Sequence, residues 1–153
     1  MDETGEEKHV FPKNIFVPGA DLGYSEWLVI SEEMNQTFAD ATHDPIAFQI
    51  NGQKYVHGFM TLSLLSYLVK SAFTKNTKDN QLQQGYLMNY GFNRIRLINP
   101  IALGARVCAA FKVSENGMKE RESVTVIPLQ FTIEIEGCGR PATSGEWLLA
   151  CEK

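Results

Sequence analysis

Tyr55-Val56-His57-Gly58, followed by Phe59 to Phe73 (FMTLSLLSYLVKSAF), decides the fold. Apolar residues occupy almost every side of this stretch. Only Ser63, Ser66, Lys70 and Thr74 form a narrow polar stripe at helical spacing. A helix that is apolar on most sides is expected to be buried on most sides. The run is shorter and more interrupted than the about 20 apolar residues that cross a bilayer, so another part of the chain must wrap it. The entrance to the helix carries a second signal. Gly58 lets a ligand approach the backbone, and the first-turn N–H groups of a helix have no partners inside it. Such a start suits an anion or a developing oxyanion.

The wrapping material lies downstream, where the hydrophobic period changes to that of a strand. Arg94-Ile95-Arg96-Leu97 alternates, placing Arg94 and Arg96 on one face, and Asn99-Pro100 ends that strand. Val107, Ala109, Phe111 and Val113 share one face of a second strand. Asn116-Gly117 is a hairpin signal. Residues 123–136 form a long strand with a phase slip: Val124 and Val126 are even-numbered, whereas Leu129, Phe131, Ile133 and Ile135 are odd. A bulge is therefore expected at Ile127-Pro128. Residues 137–141 turn the chain into a last strand at 147–151.

Upstream, Trp27 to Ile30 reads as a short first strand, and Ser31 as the N-cap of a helix over 32–41. Met34, Phe38 and Ala41 share one face of that helix, which stops before Asp44-Pro45. Residues 45–55 form a connection with a turn at Asn51-Gly52. Residues 76–85 form an exposed polar loop. An N-terminal tail and a Pro/Gly-rich lead-in (1–25) precede a single domain (26–153). Helices followed by a run of antiparallel strands define the class as α+β.

Composition narrows the function. A net charge of −4 argues against a general nucleic-acid binder, which carries a basic patch. Hydrophobic content of 44% with 21% charged residues is that of a soluble globular domain, with no membrane association expected. The three cysteines, an odd count without a close framework, favour a reducing compartment. Residues 1–9 are acidic and lack an apolar segment, so no signal peptide is expected and a cytoplasmic location is the default expectation. No histidine–cysteine spacing suits a metal.

FADATHDP, VHGFMTLSLLSYL, NYGFNRIRLINPIALGARV and EIEGCGRPA, in this order, resemble the MaoC-like hydratases and dehydratases, in particular the type related to nodulation protein N. The resemblance runs from about residue 27 to about residue 150. It implies the hot-dog fold, a curved antiparallel sheet around a long central helix. It also implies chemistry on acyl thioesters, in which water adds to a trans-2-enoyl-CoA to give the (3R)-hydroxyacyl-CoA, or the reverse. A homodimer with the substrate cleft between subunits is implied, with an acyl-CoA or acyl-carrier thioester as substrate and no separate cofactor. Asp44 matches the catalytic aspartate, the His57-Gly58 region the oxyanion-stabilising N–H, and Ser63 a serine that supports the site. The catalytic histidine of the family falls at position 49, which here is Gln49. The stretch between position 49 and His57-Gly58 is also shorter, so a trimmed flap is expected.

A glutamine amide orients water but does not exchange a proton near neutral pH. Several outcomes stay open. Asp44 could act with Gln49 positioning water. The adjoining His43 could stand in for the missing histidine. The protein could bind acyl thioesters without turnover, or hydrolyse them through Asp44. Each residue also has a structural reading: Asp44 as a turn residue, Gln49 and His43 as exposed polar groups, His57 as a hydrogen-bonder holding the helix start, and Ser63 as a small packing residue. Arg94 and Arg96 suit either solvent exposure or the phosphates of the substrate.

Overall fold

The computed structural model describes residues 15–45, 48–77 and 87–152. The tail expected at 1–9 lies outside them, as does most of the polar loop. Strands β1 (Asp21–Tyr24) and β2 (Leu28–Val29) open the chain, followed by helix α1 (Glu32–Thr42). Next come a hairpin, β3 (Phe48–Ile50) and β4 (Gln53–Tyr55), and helices α2 (Gly58–Ser63) and α3 (Leu65–Thr77). The remainder is strand: β5 (Met88–Leu97), β6 (Arg106–Val113), β7 (Lys119–Glu120), β8 (Val124–Ile135) and β9 (Thr143–Glu152).

One seven-stranded antiparallel sheet has the order β1-β6-β8-β9-β5, with β2 also on β6 and β7 on β8. Side chains alternate across a strand, and the inward set is the one read from the sequence. Val107, Ala109, Phe111 and Val113 of β6 are buried, as are Leu129, Phe131 and Ile133 of β8 and Trp147 and Leu149 of β9. They form one core with Leu65, Leu68, Val69, Ala72 and Phe73 of α3. The α+β class and the helix packed on an antiparallel sheet stand as expected. No helix among the described residues is long and apolar enough to cross a membrane.

Several expectations are corrected. The central helix runs as two segments that meet at Leu64, although the Leu64 N–H still bonds Met60 and the Leu68 N–H bonds Leu64. It is also less enclosed than its composition suggests, because Phe59 (75% exposed) and Tyr67 (53%) face outward beside Ser63 and Ser66. Part of the lead-in placed before residue 26 is strand β1, paired with β6. Asn76, expected in the loop, lies in the last turn of α3 instead, and its side-chain amide donates to the carbonyls of Leu22 and Tyr24 at 3.2 and 3.1 Å. The connection over 45–55 holds the β3–β4 hairpin, turned by Asn51 (φ 49°) and Gly52 (φ 78°), the positive dihedrals a tight hairpin requires. The Asn116-Gly117 turn forms, but it delivers β7 to β8 rather than back onto β6.

No bulge occurs at Ile127-Pro128: β8 and β9 pair without a shift from Val124↔Glu152 to Ile133↔Thr143. The apparent slip comes from burial on both faces, since residues 125–129 are all buried. Pro128 is tolerated because its carbonyl, and with it the missing N–H, points toward the end of β6. There the carbonyl accepts the Ser114 N–H at 2.9 Å. The Ser114 carbonyl, which an ordinary residue at 128 would bond, instead accepts the Gly117 N–H at 2.8 Å. Irregularities lie instead in β1, between Asp21 and Gly23, and in β5, between Asn89 and Gly91 and between Asn93 and Arg96, with Arg94 at φ 54°. In β5, this interrupts the alternation that would have set Arg94 and Arg96 on one regular strand face.

Candidate functional site

Two local structures bring the site together. The first is the end of α1. Ser31 caps its start, accepting the Met34 N–H at 3.1 Å, and Glu32 and Glu33 suit the positive end of the helix dipole. At the other end His43 adopts the left-handed conformation (φ 55°), and its N–H closes on the Ala39 and Asp40 carbonyls. The Asp44 N–H bonds Ala39 at 3.0 Å. Asp44 is therefore held by the helix terminus itself, with its side chain 54% exposed.

The second is the entrance to α2. His57 is its N-cap residue, yet its side chain makes no capping bond. The imidazole turns instead to Asp44, with Nδ1 3.6 Å from Oδ2, and is only 12% exposed. The Phe38 ring lies 5.8 Å from it. The backbone N–H of His57 donates to Asn35 Oδ1 at 3.0 Å, and Asn35 is buried on α1. With that amide occupied, Gly58 carries the next N–H of the entrance. Space over Gly58 is limited on one side, since a Cβ built there would lie 2.9 Å from Leu97 Cδ1.

Beside this pair is an apolar cleft of about 470 Å³ between α1 and α2, lined by Met34, Phe38, Ala41, Met60, Ser63 and Leu64, among others. Phe38 lines the cleft and lies near the His57 ring. Ser63 lines the cleft while its hydroxyl donates to the Phe59 carbonyl at 2.9 Å.

The structure thus brings together Asp44, His57 and Gly58, with Ser63 further along α2. Gln49 lies exposed on β3, opposite Lys54. His43 is exposed and serves as the helix cap. Arg94 and Arg96 are exposed on β5. Sequence reasoning missed Asn35, because nothing local distinguishes it from its polar neighbours Gln36 and Thr37. Among the described residues, no group of histidine, cysteine and acidic side chains could hold a metal.

No family model matches the chain. Nodulation protein N of Rhizobium meliloti (strain 1021) is 34% identical over 140 residues, covering 85% of this chain and 83% of that protein. The 3-hydroxyacyl-thioester dehydratase Z of Mycobacterium tuberculosis (strain ATCC 25618 / H37Rv) is 32% identical over 139 residues, covering 84% and 86%. Among solved structures, the MaoC-like dehydratase from Rhodospirillum rubrum superposes with a TM-score of 0.67 at 12% identity, covering 94% of this chain and 97% of that one. The (R)-hydratase from A. caviae gives 0.62 at 19% identity, covering 87% and 95%. These superpositions show the hot-dog fold.

Proposed function

This chain belongs to the MaoC-like hot-dog family of nodulation protein N and the 3-hydroxyacyl-thioester dehydratases, and on that premise we propose that it is an acyl-thioester hydratase/dehydratase, a lyase. The observation that carries this to the site is the position of Asp44, beside the amino end of the central helix and open to water. Hydration of an enoyl thioester needs a base for water and a donor for the charge that builds on the thioester oxygen. Asp44 serves as the base. The Gly58 N–H serves as the oxyanion donor, worth about 10²–10³-fold in comparable sites. The apolar cleft at Phe38 and Met60 accepts the acyl chain, and no separate cofactor is required.

We further infer a homodimer. Strand β5 is the last strand of the sheet, ten residues long, and exposes Met88, Tyr90, Phe92 and Leu97. An exposed apolar edge strand invites pairing, and a second copy of this chain supplies it.

The test is a panel of short, medium and branched trans-2-enoyl-CoA substrates, followed by loss of enoyl absorbance. Wild type consumes the substrate, and Asp44→Asn lowers the rate by two orders of magnitude or more. Equal inertness of both proteins across the panel sinks the assignment. Binding without turnover would indicate an acyl-thioester carrier, and release of free thiol from saturated acyl-CoA a thioesterase.

A further inference from the structure

Gln49 stands where the resembled family has its catalytic histidine, and it lies exposed on β3 opposite Lys54. Imidazole is the side chain suited to exchanging protons near neutrality; an amide is not. A different imidazole stands beside the aspartate. His57 Nδ1 is 3.6 Å from Asp44 Oδ2. The ring is screened from bulk water, packs near Phe38 and takes no part in capping the helix. Its backbone is pinned by Asn35.

We propose that His57 is the second proton-transferring residue of the site, taking over the function lost at position 49. The proposal rests on the hydratase reading above. In the hydration direction the Asp44 carboxylate takes a proton from water as the water oxygen bonds C3 of the enoyl group. The C2=C3 electron pair shifts toward C2 and the thioester oxygen, which the Gly58 N–H stabilises. The protonated imidazole of His57 then delivers its Nδ1 proton to C2. This leaves Asp44 protonated and His57 neutral. Transfer of the proton from Asp44 to the vacated Nδ1 of His57 across their contact restores the starting state, and dehydration is the same sequence reversed. At 3.6 Å the contact is longer than a hydrogen bond; contacts of this kind tighten when substrate fills the site.

The experiment compares wild type and His57→Gln on trans-2-enoyl-CoA over a range of pH, with thermal melts to verify folding. His57→Gln keeps the backbone N–H that Asn35 binds. It is expected to lower kcat by about 10²–10⁴-fold with KM little changed, and to remove one limb of the pH profile of kcat. An active wild type with an equally active His57→Gln overturns the proposal and leaves the hydratase reading standing. A loss that leaves the pH profile of kcat unchanged, or that falls on KM instead, assigns His57 a structural role and also overturns it. An inert wild type overturns both. Should His57→Gln fail to fold, histidine-ring NMR on wild type and Asp44→Asn takes its place. A His57 titration unchanged by Asp44→Asn overturns the proposal, and a shifted one supports it.

Discussion

Asn35 Oδ1 accepts the His57 N–H at 3.0 Å, joining the first turn of α1 to the entrance of α2. Asn35 is buried, so Asn35→Ala leaves a donor without its partner in a water-poor place. The expected cost is about 1–3 kcal/mol, measured by urea unfolding. Turnover is expected to fall as well, since the same bond orients the Gly58 amide. An unchanged unfolding midpoint would show that water replaces the asparagine freely.

Gly58 separates stability from activity. A Cβ at this position meets only the tip of the exposed Leu97 side chain, which can swing aside. Gly58→Ala is therefore expected to melt within a few degrees of wild type. The methyl group occupies the space over the amide where the thioester oxygen would sit, so kcat/KM is expected to drop tenfold or more. Full activity in Gly58→Ala removes that amide from the mechanism.

His43 caps α1 in a conformation that favours glycine. His43→Gly relieves the side-chain clash but loosens the unfolded chain, effects of about 1 kcal/mol each. Stability is expected to be unchanged or slightly raised, and activity retained. A collapse of activity with stability intact would return His43 to the proton chemistry.

Glu146 on β9 accepts hydrogen bonds from the Ser114 hydroxyl and the Asn93 amide. These bonds, Ser114 first, hold its carboxyl below the ordinary value of 4.5. A carboxyl depressed in the folded state stabilises the fold above its unfolded value, and that contribution fades as pH falls through the folded value. Unfolding midpoints measured at and below pH 4.5 are expected to decline more steeply in wild type than in Glu146→Gln. Parallel declines would mean that the carboxylate is matched by water in the unfolded chain.

Cys108 and Cys151 are buried and Cys138 is exposed. Burial pushes the Cys108 thiol above its ordinary range, and Glu134 adds to this. One thiol in the native protein is expected to react promptly with a disulfide reagent, and the other two only after denaturant. Prompt reaction of a second thiol would reveal local opening of the sheet.

Much of this architecture was legible because burial follows a period. The inward residues of β6 and the helix over 59–73 could be read directly from apolar spacing, and Ser31 from its capping chemistry. What escaped was set by partners remote in sequence. The exposed Phe59 and Tyr67 look like core residues in a one-dimensional pattern. The continuous burial of 125–129 imitated a bulge, because a strand covered on both faces loses its alternation. At the site, the motif resemblance singled out Asp44 and Gly58. It also drew attention to Gln49, although the imidazole beside Asp44 comes from His57, a pairing visible only once α1 and α2 are docked.

Pro128 has a further consequence. Where β6 leaves off and β7 has yet to arrive, the flank of β8 would be a ledge on which a stray extended peptide could settle. A ring nitrogen without hydrogen, beside a carbonyl already engaged by Ser114, gives such an intruder nothing to grip. The gap between β6 and β7 is thereby closed to pairing by a strand from outside.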